Sequence, residues 1–498
     1  MDWEKLERLM REFARALDSV LRERWRTLAL ICVGFATGAA LLTLLRSGQT
    51  AAVVTPYPHD LTQVSFAVAG DVIPHEPVRA AAAAAGDGEQ GWAALFSDVA
   101  DVFEGADFGF VNLETPVAPE HSRGTKAFIF DAPVELPAAL KASGIKIVSF
   151  ANNHVMDQGW AGFVESREHL KEAGLEFAGT SDDAGTAWQP VITEANGIKV
   201  GWLGMTRWLN GNRNPEKDDQ PHVNFFPYPG EANGAPGADE ATVLKAVQAA
   251  RAQCDLLVIS VHWGIEYATA PRPEDVDIAH KMMEAGASVI VGGHPHVLQP
   301  IETYRTQDGR DTVIFYSLGN FLSNQSRTYV DGLNPDANGE PRDEMIGLFA
   351  AVKRDYGPAG VRVELGHVGM LPVWEENNRN DLAAGREKKP VIRPVLIDRE
   401  IPMLEARLDE LEKAAGMSVG IPGAPAGAPN GDMPPGAKSA APGTGSPGQG
   451  SAGLNADEKK EFIEVTKRLK LLTDRRAQIL ARAGDEYVTA PPKLPAKP

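Results

Sequence analysis

The sequence predicts an α/β fold with appendages at both ends, and two observations carry that prediction. From about residue 61 to 375, short apolar runs (FAVAG, FGFVN, IKIVSF, KVGWLGM, LLVISV, SVIVGG and VIFYSL) alternate with helix-like stretches such as WAGFVESREHLKEAG at 160 to 174 and PEDVDIAHKMMEAG at 273 to 286. Such alternation is the signature of strands covered by helices. The second observation is size: 498 residues at 43% hydrophobic content can bury one large α/β core with segments left over.

Taken from the N-terminus, residues 1 to 26 mix acids and bases around Leu6, Leu9, Phe13, Leu17 and Leu21, a helical stripe. Residues 27 to 45, TLALICVGFATGAALLTLL, carry no charge over about the length of a membrane-crossing helix and are expected to be an anchor. Arg22, Arg24 and Arg26 crowd one flank, whereas no charge follows Arg46 until Asp60. The positive-inside rule then predicts a single-pass protein of the cell membrane with segment 1–26 cytoplasmic and the bulk of the chain extracytoplasmic. Residues 46–60 are read as a linker and 61–400 as the main domain. Segment 401–415 reads as a helix, with Leu404, Leu408 and Leu411 on one face. The Gly/Pro/Ala-rich tract at 416–456 lacks the apolar content to offset the entropy of folding and is expected to be a disordered linker. Beyond it, 457–483 is expected to be helical, with Phe462, Val465, Leu469, Leu472 and Ile479 on heptad spacing that Arg476 interrupts. Residues 484–498 form a tail. The two C-terminal helices are expected to pair with one another as a coiled-coil-like hairpin or to join a partner such as a membrane synthase complex.

A net charge of −18 disfavours nucleic acid as a partner, since phosphate backbones attract basic surfaces. Two cysteines, Cys32 and Cys254, make no disulfide framework. No G-x-S-x-G elbow follows an apolar strand-like run, and no Walker A loop is present, so serine-hydrolase and P-loop chemistry lack support.

The chemistry gathers where apolar runs stop. AVAGD ends in Asp71, FVNLE in Glu114, IVSFANNH in Asn152, Asn153 and His154, VISVH in His262, and VIVGGHPH in His294 and His296. In open α/β sheets the ligand crevice lies beyond the carboxyl ends of the strands, so these segments are expected to meet. Imidazole nitrogen combined with carboxylate oxygen suits a divalent transition metal, Mn, Zn or Fe, as one or two ions. Gly292 and Gly293 are expected to let the chain turn tightly and present both histidines. Asp157 and Glu266 follow their motifs closely and are candidates to orient His154 and His262.

GDV at 70 to 72, NLETPV at 112 to 117, ANNHVMDQG at 151 to 159, HWGIEY at 262 to 267, GGHPHVLQP at 292 to 300 and YSLGNF at 316 to 321 together resemble the CapA family of poly-γ-glutamate capsule synthesis proteins. The resemblance implies a layered β-sandwich flanked by helices, like that of the calcineurin-like metallophosphoesterases. It further implies Asp71 and His296 on one metal, Glu114 bridging, Asn153, His262 and His294 on the other, and His154 as general acid. An anionic polymer or another envelope component is the implied partner. The metallophosphoesterase pattern opens with Asp-x-His, but here Ile73 holds that position and His75 lies two residues further on. One ion is therefore expected to bind more weakly than the other. Three functions follow: a capsule or envelope polymer protein with a metal-dependent, hydrolase-like site, a phosphoesterase acting on an envelope phosphoester, or a non-catalytic polymer-binding scaffold.

Overall fold

The computed structural model describes residues 4–25, 37, 57–231, 235–416 and 453–492. The expected membrane span at 27–45, residue 37 apart, and most of the expected linker at 416–456 lie outside these residues. No helix among the described residues is long and apolar enough to cross a membrane. Residues 4–25 are helical, and Leu6, Leu9, Phe13, Leu17 and Leu21 are all exposed on that helix.

Sixteen strands follow among the described residues. The first five are β1 (His59–Val72), β2 (Phe108–Leu113), β3 (Ile145–Ser149), β4 (Glu176–Ala178) and β5 (Thr180–Ser181). Next come β6 (Val191–Ala195), β7 (Ile198–Thr206), β8 (His222–Val223), β9 (Leu256–His262) and β10 (Val289–Gly293). The last six are β11 (Ile301–Arg305), β12 (Asp311–Phe315), β13 (Asn320–Leu322), β14 (Asp343–Asp355), β15 (Val361–Asn377) and β16 (Ile392–Leu396). Eight of them form one sheet in the order β16-β15-β14-β1-β2-β3-β4, with β13 beside β1. Six form another in the order β11-β12-β10-β9-β7-β6. Strands β1 to β4 run parallel to one another, as do β7, β9, β10 and β12 in the second sheet, whose edge strands β6 and β11 are antiparallel to β7 and β12.

Period-two alternation divides the core into layers. Val64, Phe66 and Val68 of β1 join Trp202, Val258, Val291 and Phe315 of the second sheet in one buried cluster, so the two sheets pack face to face. Phe110 stacks on Trp202 across that interface with ring centroids 5.7 Å apart. The intervening Ala67 and Ala69 face the other way, into a cluster completed by Leu136, Leu140 and Phe163 from helices Glu135–Ala142 and Gly159–Glu172. On the far side of the second sheet, Val243 and Val247 of helix Glu240–Arg251 and Ile278 and Met282 of helix Pro273–Ala285 pack on Ile259 and Ile290. The molecule is thus a mixed α/β sandwich with helices on both outer faces.

Helices Ile397–Ala414 and Ala456–Ala483 run antiparallel, joined by Arg407 with Glu461, Arg468 with Glu400 and Arg476 with Asp398. Asn455 caps the second helix in a reciprocal box with Glu458. The arginine that interrupts the heptad therefore serves the pairing itself. Leu472 and Ile479 are fully buried against the inter-sheet core, and Arg475, equally buried, pairs with Asp343 at the start of β14. The C-terminal helix is consequently a structural part of the sandwich. Leu472→Ala is expected to cost about 2–5 kcal/mol in urea unfolding; a change under about 0.5 kcal/mol would show that this helix does not dock on the core.

Candidate metal centre

Register brings the expected residues together. Asp71 pairs with Asn112 on β2 and with Asn320 on β13, and Asn112 pairs in turn with Ser149 on β3. In the second sheet His262 lies between Thr206 and Gly293. The carboxyl ends of β1, β2, β3, β9 and β10 therefore open on one edge of the sandwich, and the loops that follow them carry the polar groups. Asp71, Glu114, Asn153, His154, His262, His294 and His296 are all buried there.

Glu114 is the hub. Its Oε1 lies 3.5 Å from His262 Nε2 and 3.9 Å from both His154 Nε2 and His296 Nε2. Its side chain is completely buried, yet neither carboxylate oxygen has a hydrogen-bond partner among the described residues, and the same holds for His294 Nδ1. Ligand atoms of Asp71, Glu114 and His262 lie within 4.8 Å of one another, as do those of Glu114, His294 and His296. Glu114 is shared by both triads, in the place where a bridging carboxylate is expected. The triads do not divide the histidines as the sequence resemblance does, because His294 groups with His296 and His262 with Asp71. Asn153 Oδ1 is 2.9 Å from His262 Nε2.

Electrostatics separates the imidazoles. Burial, reinforced by His262 and His296, holds the His294 pKa well below its ordinary value. Burial alone would depress His296 too, but the Glu114 and Asp71 carboxylates override it and push His296 up to about 9. Asp71, despite burial, is held below its usual range by His296 and His262. The charges are thus unevenly placed, and two buried acids share one strongly favoured cation. Stripping a carboxylate of water without giving its oxygens partners costs several kcal/mol, a penalty that a divalent ion would remove. The donor set fits such an ion.

The histidine loop differs from expectation in how it turns. Gly292 and Gly293 are in β10, and their role is close approach: a Cβ at Gly293 would lie 2.6 Å from Asp71 Oδ1, and one at Gly292 would run into the Tyr316 carbonyl. The turn is made by the histidines themselves, with φ of 96° at His294 and 56° at His296. Non-glycine residues pay for that conformation, and such strain concentrates at functional sites.

Asp157 does hold His154: its Oδ2 is 2.7 Å from Nδ1 and also accepts the Phe130 N–H. Phe130 packs on the same imidazole. Glu266, by contrast, is exposed and makes no hydrogen bond to His262 among the described residues. The groups that orient the other histidines are two asparagines that sequence reasoning passed over. Asn112 Nδ2 donates to Asp71 Oδ1 at 2.7 Å and lies 3.3 Å from His262 Nδ1, and Asn320 Oδ1 is 3.1 Å from His296 Nδ1. Both sit in motifs already singled out, NLETPV and YSLGNF, at the same strand ends as the acids. Ile73 is buried, and His75 accepts the Asn324 N–H on Nδ1 and joins neither triad.

Residues 65–325, just over half of the chain, match the family model described as bacterial capsule synthesis protein PGA_cap. The chain belongs to this family. Among PGA_cap relatives it is 31% identical over 238 residues to the capsule biosynthesis protein CapA of Bacillus anthracis and 30% identical over 243 residues to the PGA biosynthesis protein CapA of Bacillus subtilis. These alignments cover 47% and 48% of this chain but only 54% and 59% of the relatives. A 5'-nucleotidase crystal structure from Candida albicans overlaps 59% of the chain and 48% of its own at 11% identity and a TM-score of 0.30, too low to establish a common fold.

Glu114→Gln keeps the shape of the hub and removes its charge. In wild-type protein, saturating Mn2+ or Zn2+ is expected to raise the melting temperature, corresponding to about 2.7 kcal/mol at a hundredfold excess over Kd. The variant is expected to lose that rise; a rise that persists would place the ion elsewhere.

Proposed function

We propose that this chain is a membrane-anchored, extracytoplasmic protein of capsule or envelope polymer synthesis, of the poly-γ-glutamate type, with a metal-dependent hydrolytic site. The observation that carries the hydrolytic part is the buried Glu114 carboxylate, without a hydrogen-bond partner among the described residues and ringed by His154, His262 and His296. Family membership and the names of the Bacillus relatives support the polymer. The uncharged run at 27–45, with arginines on one flank only, supports the anchor and its orientation.

Asp71, Glu114, Asn153, His262, His294 and His296 would hold Mn, Zn or Fe, as nitrogen and oxygen donors suit these ions. Bound there, a divalent ion supplies Lewis acidity and lowers the pKa of water toward neutrality. The protein's own contribution is positional. Asp157 fixes the His154 ring through Nδ1, so Nε2 faces Glu114 and, when protonated, has a proton to give to the departing group. Phe130 covers the ring and keeps bulk water off it. Asn112 and Asn320 hold His262 and His296 in place.

The sharing of Glu114 between two triads favours a second reading, cleavage of an envelope phosphoester, because a bridging carboxylate suits paired ions. One assay separates the two. Metal-loaded protein is incubated with poly-γ-glutamate and with a model phosphodiester, and cleavage is followed with and without chelator. Metal-dependent shortening of the polymer is expected, with His154→Gln slower by roughly 10^2- to 10^4-fold. Cleavage of the phosphodiester alone supports the second reading, and cleavage of neither leaves a scaffold. A reporter at the C-terminus is expected to be active only if exported, and activity of a cytoplasm-only reporter would overturn the topology.

A further inference from the structure

Beside His296 a cleft of about 500 Å3 opens between Tyr267 and the segment 326–341, within the usual range of small-ligand clefts, about 300–1,000 Å3. It is tied to the histidine loop. The Tyr267 ring lies 6.3 Å from the His296 ring, and the Tyr267 N–H donates at 2.8 Å to the carbonyl of Pro295, between the two site histidines. Asn320, which holds His296, also donates to the Pro341 carbonyl at 2.8 Å. One extended ligand can therefore span the cleft and the ion site.

All the lining residues except Tyr267 and Val297 follow residue 325, where the family match ends. The C-terminal helix fastens this wall: Arg482 pairs with Glu340 at 3.1 Å, Gln478 donates to Asp336 at 3.1 Å, and Arg475 donates to the Asp336 carbonyl at 3.0 Å. The cleft is thus built by parts of this chain outside the family region.

Its free groups match a polyamide that carries carboxylates. The Tyr267 hydroxyl and the side chains of Ser326, Thr328 and Asn338 make no hydrogen bond with the described residues, so donors and acceptors both stand ready for amide N–H and C=O groups. The half-exposed Tyr267 ring and buried Val297 offer an apolar face to methylenes. Glu340, the one charged lining residue, is neutralised by Arg482. The free cation stands at the mouth. Arg327, between the lining residues Ser326 and Thr328, is exposed and has no ion pair among the described residues. Its side chain lies outside the cleft, on the side of His75: burial is the main reason that the His75 pKa falls to about 4, and the Arg327 charge adds to it. His75 shares Phe130 with His154, so Arg327 stands between the cleft and the metal centre. Carboxylates beside the exposed Thr328 and Asn338 keep their water, and one that crosses the mouth meets a guanidinium.

We propose that this cleft is a γ-glutamyl subsite: it holds the polymer's amides and methylenes next to the metal centre, while Arg327 receives a carboxylate at the mouth. The proposal rests on the poly-γ-glutamate reading, but not on hydrolysis. The full chain in detergent micelles is stripped with EDTA and dialysed, so that the ligand's own carboxylates draw no metal, and is titrated by calorimetry with γ-linked and α-linked hexaglutamate. The γ-linked hexamer is expected to bind, and Tyr267→Ala and Asn338→Ala are each expected to weaken it about fivefold to tenfold. Arg327→Gln is expected to cost about twofold to fivefold and to flatten the dependence on salt. Asn338 and Arg327 are exposed, so their variants report on binding even if Tyr267→Ala disturbs the loop. The α-linked hexamer carries its methylenes in side chains rather than in the main chain and is expected to bind more weakly, with no response to Asn338→Ala. The subsite is overturned if the γ-linked hexamer does not bind stripped protein, if Asn338→Ala and Arg327→Gln both leave its affinity unchanged, or if both hexamers bind alike and lose affinity alike. Cleavage of poly-γ-glutamate by metal-loaded protein is read separately, so that failure of the subsite and failure of the hydrolytic reading are told apart.

Discussion

A fully buried carboxylate with no hydrogen-bond partner among the described residues sets the terms for the rest of this protein. Glu114 follows β2, and its position is enforced by the sheet: β1 lies on one side, β3 on the other, and each ends in polar side chains at the same level. Left alone, such a group would cost several kcal/mol. Three imidazoles approach it, and the Glu114 and Asp71 carboxylates together push His296 up to about 9 against its burial. The structure therefore accepts a local penalty that the large sandwich core offsets. Two glycines in β10, where any side chain would collide, and two histidines in left-handed backbone conformations show how closely the loops are drawn in around it.

Much of this was legible in the sequence because parallel strands have a simple rule. Their carboxyl ends lie on one side, so acids and histidines that end apolar runs meet even when more than two hundred residues separate them. Asp71, Glu114, Asn153, His154, His262, His294 and His296 were found in that way. Asn112 and Asn320 were not, because an amide at a strand end reads equally well as turn chemistry; register sets both beside Asp71, and only the folded side chains show that each meets a histidine. Glu266 illustrates the reverse: nearness in sequence to His262 did not put it in contact, since the chain passes through Gly264 with φ of 89° before reaching it. The glycines of the histidine loop were identified as necessary for a turn, whereas the physical reason is contact with Asp71 and Tyr316. The C-terminal helix was legible as a helix, but its docking depends on Arg475 and Leu472 meeting β14 and the inter-sheet core, which periodicity alone does not specify.

The family match stops at residue 325, and the fold does not. β14, β15 and β16 complete the first sheet, and the two antiparallel helices close over it. The site thus combines a centre that belongs to the family region with a wall supplied from outside it.

If Glu114 holds a metal ion shared among the converging strand ends, the ion itself is detectable. Anomalous scattering from crystals of protein purified without chelator, measured above and below the Mn, Fe and Zn absorption edges, tests it most directly. The expected result is a peak within ligand distance of Glu114 and the surrounding histidines, close to one ion per chain, with a second and weaker peak only after metal is added, since His75 stays outside both triads. No peak at Glu114 even after supplementation, with its oxygens bonded to water or protein alone, would contradict it.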